Sequence, residues 1–216
     1  MKKQYIWILL SCFSLAACKK LDQQPQSTAT KDAVFGTENG LKLYTNSFYN
    51  MDFLPRNSTS QDAMSDYLAV RSVQDFIRPG GFGANNSSGW TWTDLRNINY
   101  FIENCNDPAI PAATRNNYIG IARYFRAYFY MEKVKRFGDV PWIGKPLNID
   151  DPALNAGRDK RELVMDSVLA DINFACENIQ AVNDPSRTTI TKWVAYAYKS
   201  RLCLFEGTFS KYHTEM

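Results

Sequence analysis

The sequence predicts a mainly α-helical protein in which helical hairpins stack side by side and one long irregular loop interrupts them. Two observations support this fold class. Apolar residues recur every three or four positions in several long segments, as on the buried face of a helix. No segment except the short stretch 140–143 alternates apolar and polar residues as a half-buried strand would. Hydrophobic residues make up 45% of the chain, which is enough for a globular core.

The amino terminus predicts export. Two lysines precede a mostly apolar run, residues 5–17, which has the length of a signal-peptide core and is too short to span a bilayer comfortably. Small alanines stand immediately before Cys18, as expected at a cleavage site. Residues 1–17 are therefore predicted to be a signal peptide, and the polar residues 18–29 a tether. The alternative is a secreted protein in which the cysteine at the cleavage site has no role.

The folded part of the chain is predicted to begin near residue 30 with a helix that ends before Pro55. Its apolar residues are spaced by three and four positions, at Leu41, Tyr44, Phe48 and Met51. Residues 56–89 then lack sustained periodicity and are rich in asparagine, serine and glycine, which is typical of loops. A loop of this length inside a compact domain is usually functional or mobile.

Two helices are predicted after the loop. The first covers residues 92–104, with one face formed by Trp92, Leu95, Asn99 and Ile102. The second covers residues 114–138, with an apolar face formed by Tyr118, Ala122, Phe125 and Phe129. Basic residues crowd its last turn, where cations face the negative end of the helix dipole, and Gly138 ends it.

Two more helices complete the prediction. The third covers residues 159–179 and begins with Asp159 and Glu162 in a spacing similar to a capping box. Its apolar stripe consists of Val164, Val168, Ile172, Ala175 and Ile179. The fourth covers residues 191–207, and its small residues Ala195, Ala197 and Ser200 would allow a neighbouring helix to approach closely. The terminating glycines 138 and 207 lie 69 positions apart, about twice the period of a tetratricopeptide repeat, which indicates a tetratricopeptide-like stack.

Three cysteines remain in the predicted domain, namely Cys105, Cys176 and Cys203. Their spacing matches neither a dense disulfide framework nor a zinc site. Cys176 and Cys203 both lie in predicted helices, and the sequence leaves open whether they form a disulfide or remain buried free thiols. The charge is nearly balanced, with 25 basic and 22 acidic residues, so nucleic acid is not expected as a partner.

Residues 122–143, ARYFRAYFYMEKVKRFGDVPWI, resemble the signature of the SusD/RagB family of outer-membrane nutrient-binding lipoproteins. Residues 92–104, 158–179 and 189–211 agree with further family segments in order and spacing, and residues 15–18 resemble a lipobox. The resemblance implies that residues 30–216 are the amino-terminal helical domain of a SusD-like protein, whose carboxy-terminal region is missing here. It also implies that Cys18 carries lipid and anchors the protein to the outer membrane, at the cell surface.

The resemblance further implies a function in nutrient uptake. Family members capture a glycan and deliver it to a TonB-dependent outer-membrane transporter of the SusC type. Two alternatives stay open: a RagB-like protein that binds peptides, and a tetratricopeptide-type scaffold that binds proteins and has no small ligand.

The candidate ligand-binding residues are Trp90, Trp92, Asp66, Arg96 and Asn99. Two indoles at the junction between a loop and a helix are a plausible stacking platform for the apolar face of a sugar ring, and the polar side chains nearby can donate and accept hydrogen bonds. The resemblance implies ligand contacts around Trp92 and the helix that follows. The alternative is that the tryptophans belong to the core, because tryptophan in helical proteins is largely buried.

An enzymatic function is not expected, and neither a cofactor nor a metal site is predicted. The single histidine, His213, has no nucleophile motif beside it. Other candidate features are a partial dinucleotide fingerprint at Gly81, Gly83 and Asn86 and a carboxylate pair at Asp62 and Asp66. No strand precedes the fingerprint, and spacing alone does not place two carboxylates on either side of a glycosidic bond.

Overall fold

The structure is a computed structural model that describes residues 30–55, 68, 71–75, 77–81, 83 and 88–213. The predicted signal peptide and tether, including Cys18, lie outside the described residues. Most of the long loop does as well, including Asp62, Asp66 and Asn86.

The described residues form six α-helices and no strand. The helices are α1 (Lys31–Phe35), α2 (Glu38–Ser47), α3 (Thr93–Asn104), α4 (Ala112–Phe137), α5 (Arg161–Asn178) and α6 (Lys192–Tyr212). Short 3-10 helices lie directly after α2, at Phe48–Asn50, and between α4 and α5, at Pro152–Asn155. Within the described ranges, one isolated antiparallel bridge joins Val140 to Asp159, and residues 140–143 do not form the strand considered for them. The mainly helical fold class is therefore confirmed. No described helix combines the length and apolar character needed to cross a membrane.

Helix α4 lies at the centre of the fold. It packs along α5, while α2 and α3 pack on α4 and α6 packs on α5. The absence of a side chain at Gly120 permits the close approach of α4 to the end of α5, because a Cβ atom there would lie 2.9 Å from Cγ1 of Ile179. The predicted apolar faces of α4 and α5 are confirmed, since every predicted residue of both faces is buried.

The first predicted helix is broken. Helix α1 ends at Phe35, and α2 begins again at Glu38 after Thr37. The Thr37 hydroxyl accepts a hydrogen bond from the Gly40 backbone N–H at 3.1 Å, so Thr37 acts as an amino-terminal cap. The four apolar residues from which the helix is predicted all lie after this break, so their spacing contains no information on residues 31–37.

The predicted start of α5 is also corrected. Helix α5 begins at Arg161, and the carboxylate of Asp159 accepts the Trp142 backbone N–H at 2.7 Å rather than capping the helix. The cap comes from another segment, because Asp139 Oδ1 accepts the Arg161 backbone N–H at 2.9 Å. A capping residue 22 positions away leaves no local sequence signal.

Gly207 does not end the last helix, contrary to the prediction. Helix α6 continues to Tyr212. The spacing between Gly138 and Gly207 is therefore not a distance between two helix ends, and it does not measure a repeat period. Gly138 does end α4, with a φ of +67° that a residue with a side chain rarely adopts. Of the small residues predicted to face a neighbouring helix, only Ala195 is buried, and Ala197 and Ser200 are exposed.

The three described cysteines are free thiols. Cys105 and Cys176 are buried, and burial raises the pKa of Cys105 to about 11. Cys203 is exposed on α6, so of the two states considered for Cys176 and Cys203, the buried free thiol describes Cys176 alone. Helix α6 packs inward through Ala195 and Leu202, and its outer face exposes large apolar side chains, including Trp193.

Candidate ligand-binding site

A cavity of about 470 Å³ lies between the start of α3 and the segment that connects α4 to α5. Trp90, Trp92 and Arg96 line it on the α3 side. The opposite wall comes from the connecting segment, with Ile143, Lys145, Leu147 and Leu154. The lining is largely apolar with a few polar groups, which is the usual composition of a small-molecule site.

The two indoles meet at one side of this cavity. Their ring centroids are 5.2 Å apart, and the ring planes are nearly perpendicular at 82°. Trp92 is half-buried and contacts Phe129 and Tyr130 of α4, so it belongs partly to the core. Trp90 is 41% exposed. Of the two, Trp90 has the larger surface available to a ligand.

Two basic side chains of α4 hold the backbone that leads into Trp90. Lys133 Nζ donates to the Gly89 carbonyl, and Arg136 Nη2 donates to Ser88 Oγ at 3.1 Å. The Lys133 ammonium lies 5.4 Å from the centre of the Trp92 ring, within reach of a cation–π contact. Burial lowers the pKa of Lys133 below its ordinary value, and the neighbouring Arg136 lowers it further.

The basic residues at the end of α4 thus have a second role. The sequence predicts only that they face the negative end of the helix dipole. The structure shows that they also fix the position of the loop that carries Trp90. Gly89 has a φ of +87° and lies close to the Arg136 guanidinium, so a larger residue there would be strained and crowded.

The opposite wall is held through its backbone carbonyls. Asn99 Nδ2 donates to the Ile143 carbonyl at 2.7 Å and to the Lys145 carbonyl at 3.4 Å. Arg96 Nη1 donates to the Leu147 carbonyl. Helix α3 therefore fixes the segment 143–147 at three carbonyls and sets the width of the cavity.

A buried ion pair supports this wall from below. Arg126 of α4 donates from Nε and Nη2 to the two carboxylate oxygens of Asp171 in α5, at 2.6 and 2.8 Å. Its remaining Nη1 donates to Asn99 Oδ1 at 2.9 Å and to the Gly144 carbonyl at 3.1 Å. The pair thus connects α3, α4, α5 and the cavity wall in one hydrogen-bond network.

The structure brings three of the five predicted site residues to one cavity, namely Trp90, Trp92 and Arg96. Asn99 is only 1% exposed, and its amide is fully engaged beneath the wall, so it supports the cavity and is not accessible to a ligand. Asp66 lies outside the described residues. The prediction did not include Lys145, which lines the wall, or Arg158, whose guanidinium lies 4.7 Å from the Trp90 ring centre.

A second, larger cavity of about 620 Å³ lies at another position, between α2, the first half of α4 and residues 179–190. Its walls carry neutral amides and one residue of each charge, Glu38 and Lys42. The described residues include no group of three or more His, Cys, Asp or Glu side chains that could hold a metal ion. His213 is exposed, and its ring stacks on Phe209 at 4.3 Å.

Solved structures share this fold. A SusD-like protein of Bacteroides fragilis is 21% identical, with a TM-score of 0.61 over 87% of this chain and 39% of its own. A second protein of the same organism, described as a SusD-like carbohydrate binding protein, is 17% identical, with a TM-score of 0.65 over 82% of this chain and 39% of its own. The curated proteins include a SusD-like protein of Formosa agariphila that is 21% identical over 94% of this chain and 42% of its own length.

The chain thus spans about two fifths of the length of these relatives. A family model described as "Starch-binding associating with outer membrane" matches residues 31–202, which is most of the chain. The helical fold and this match agree with the motifs in residues 122–143. The chain belongs to the SusD-like family.

Proposed function

We propose that the protein binds a glycan in the cavity lined by Trp90, Trp92 and Arg96. The observation that carries the proposal is the exposed Trp90 ring, which stands beside an arginine at the edge of a preformed cavity. The apolar C–H face of a sugar packs on an aromatic ring, and its hydroxyl groups need hydrogen-bond partners. Arg96 uses one of its N–H groups for the Leu147 carbonyl and retains others for a ligand.

The proposal includes the cellular context of this binding. The protein is anchored by lipid on Cys18 to the outer membrane, at the cell surface, and it delivers the glycan to a TonB-dependent transporter of the SusC type. The family description, which names starch binding and the outer membrane, supports this context. The absence of enzymatic activity belongs to the same proposal, because the described lining of the cavity contains no carboxylate, histidine or cysteine side chain.

Binding to glycans and binding to peptides are distinguished by a direct screen. The full-length protein is run on native gels that contain single polysaccharides and is titrated in parallel with a pool of peptides. We expect at least one polysaccharide to retard the protein and the peptide pool to give no signal. Binding of peptides without any glycan would favour a RagB-like function, and binding of neither would favour a protein-binding scaffold.

A further inference from the structure

The cavity around Trp90 is surrounded by basic side chains. Arg96 and Lys145 line it, and the Arg158 guanidinium lies over the Trp90 ring at 4.7 Å. Basic and acidic residues are nearly balanced in the chain, at 25 and 22, whereas the residues that line this cavity include two basic side chains and no acidic one. The second cavity, with Glu38 and Lys42 in its walls, has no comparable excess of one sign.

Two of these cations have no carboxylate partner within the described part of the chain. Among the described residues, Arg96 hydrogen-bonds to the Leu147 carbonyl and forms no ion pair. Arg158 is exposed and contacts the Trp90 ring without an ion pair among the described side chains. Lys145 does pair with Asp151, at 3.2 Å, but remains largely exposed on the wall.

Three described carboxylates lie close in sequence to cavity-lining residues and accept hydrogen bonds from other groups. Asp151 accepts the Ala153 backbone N–H and the Lys145 ammonium, and both contacts lower its pKa below the ordinary value. Asp159 accepts the Trp142 backbone N–H. Asp94, in the first turn of α3, accepts the Asp52 backbone N–H. None of the three lines the cavity.

Helix α3 adds to the positive potential. It begins at Thr93, a residue that lines the cavity, and no side chain caps its amino terminus. Unpaired backbone N–H groups and the helix dipole make such an end favourable for negative charge. Asp94 in the same turn offsets part of this potential, so the positive charge at the cavity comes mainly from the basic side chains.

We propose that the glycan bound at this cavity is acidic and carries carboxylate or sulfate groups. The inference rests on the proposed function and adds the charge of the ligand. In this arrangement a sugar ring packs on Trp90, and the planar guanidinium groups of Arg96 and Arg158 bind the oxyanion. The arginine fork matches both carboxylate and sulfate through paired hydrogen bonds.

The test uses pairs of polysaccharides that share one backbone. Polygalacturonate is compared with its fully methyl-esterified form, which isolates the carboxylate, and carrageenan with its desulfated form, which isolates the sulfate. We expect the full-length protein to bind at least one acidic polysaccharide about tenfold more tightly than its methyl-esterified or desulfated counterpart, because charge-assisted hydrogen bonds are lost in the counterpart. The pair that shows the difference identifies the anionic group.

Substitutions then assign the effect to the cavity. Arg158→Gln is expected to reduce binding of the acidic polysaccharide about tenfold, whereas Arg158→Lys retains part of it. Lys42→Gln removes the same charge at the second cavity and is expected to leave binding unchanged. Raising the salt concentration should weaken binding of the acidic form more than binding of any neutral glycan.

Several outcomes would overturn the inference. If a neutral glycan binds through Trp90, and each acidic polysaccharide binds no more tightly than its methyl-esterified or desulfated counterpart, the ligand is neutral and only the proposed function stands. If polyglutamate binds as tightly as the acidic glycan and responds equally to Arg158→Gln, the cavity recognises negative charge without the sugar. If no glycan of either kind binds, both the inference and the proposed function are wrong.

Discussion

Replacing Asp171 with alanine is expected to lower the free energy of unfolding by about 3–5 kcal/mol, the range for breaking a buried ion pair. The Asp171 side chain is only 3% exposed and accepts two hydrogen bonds from Arg126. Without the carboxylate, the buried guanidinium of Arg126 keeps its charge but loses its partner. Chemical denaturation of the wild-type and variant proteins measures the difference.

Asp166→Ala is the matched control, because it removes an exposed carboxylate from the same helix and is expected to change stability by no more than about 0.5 kcal/mol. The double variant Arg126→Met, Asp171→Leu should recover part of the loss, since it removes the buried Arg126 charge together with its carboxylate, although the partly buried Arg123, 3.8 Å from Asp171 in the wild type, also loses its partner. Recovery stays incomplete because Asn99 and the Gly144 carbonyl lose the Arg126 donor. A loss below about 1 kcal/mol for Asp171→Ala would show that the ion pair does not support the fold.

Replacing Cys18 with serine is expected to release the protein from the membrane fraction almost completely. Serine has no thiol to receive a lipid, and the polar residues that follow offer no other membrane attachment. Several acyl chains hold a protein to a membrane durably, whereas their loss leaves only weak surface attraction. Fractionation after a high-salt wash, with mass spectrometry of the amino-terminal peptide, measures both attachment and lipid.

Cys12→Ser tests whether the position of the cysteine matters. Cys12 lies within the predicted signal peptide, so this substitution is expected to leave both lipid and membrane attachment intact. If Cys18→Ser remained in the washed membrane fraction, or if the wild-type peptide lacked acyl mass, the proposed anchor would be wrong.

The helices of the core were predictable because their signal is local. Apolar spacing in α4 and α5 identified side chains that are buried in the structure, and Gly138 marked a real helix end. The predicted helix boundaries were wrong where a capping side chain from a distant segment, or a break of only two residues, determines the start of a helix. Asp139 caps α5 from outside that helix, and Thr37 caps α2 at a position that precedes the first residue of the predicted apolar pattern, Leu41.

The candidate site was predictable only in part. Trp90, Trp92 and Arg96 are close in sequence, so one loop and one helix turn bring them together. Arg158 contacts the Trp90 ring from a segment more than 60 positions away in sequence, and the spacing of apolar residues does not predict a contact over this distance. Asn99 shares its predicted helix face with Leu95 and is buried as that face implies, but its hydrogen bond to the Ile143 carbonyl, 44 positions away, has no local sequence signal.

The affinity of the full-length protein for the glycan identified in the screen, compared between wild type and Trp90→Ala, tests the central claim most directly. We predict a loss of about 1 kcal/mol or more, as for an aromatic packing contact, with unchanged helical content by circular dichroism. Trp193→Ala is the matched control, because Trp193 is 65% exposed on α6 and does not line the cavity. Unaltered affinity in Trp90→Ala, or an equal loss in Trp193→Ala, would contradict glycan binding at this cavity.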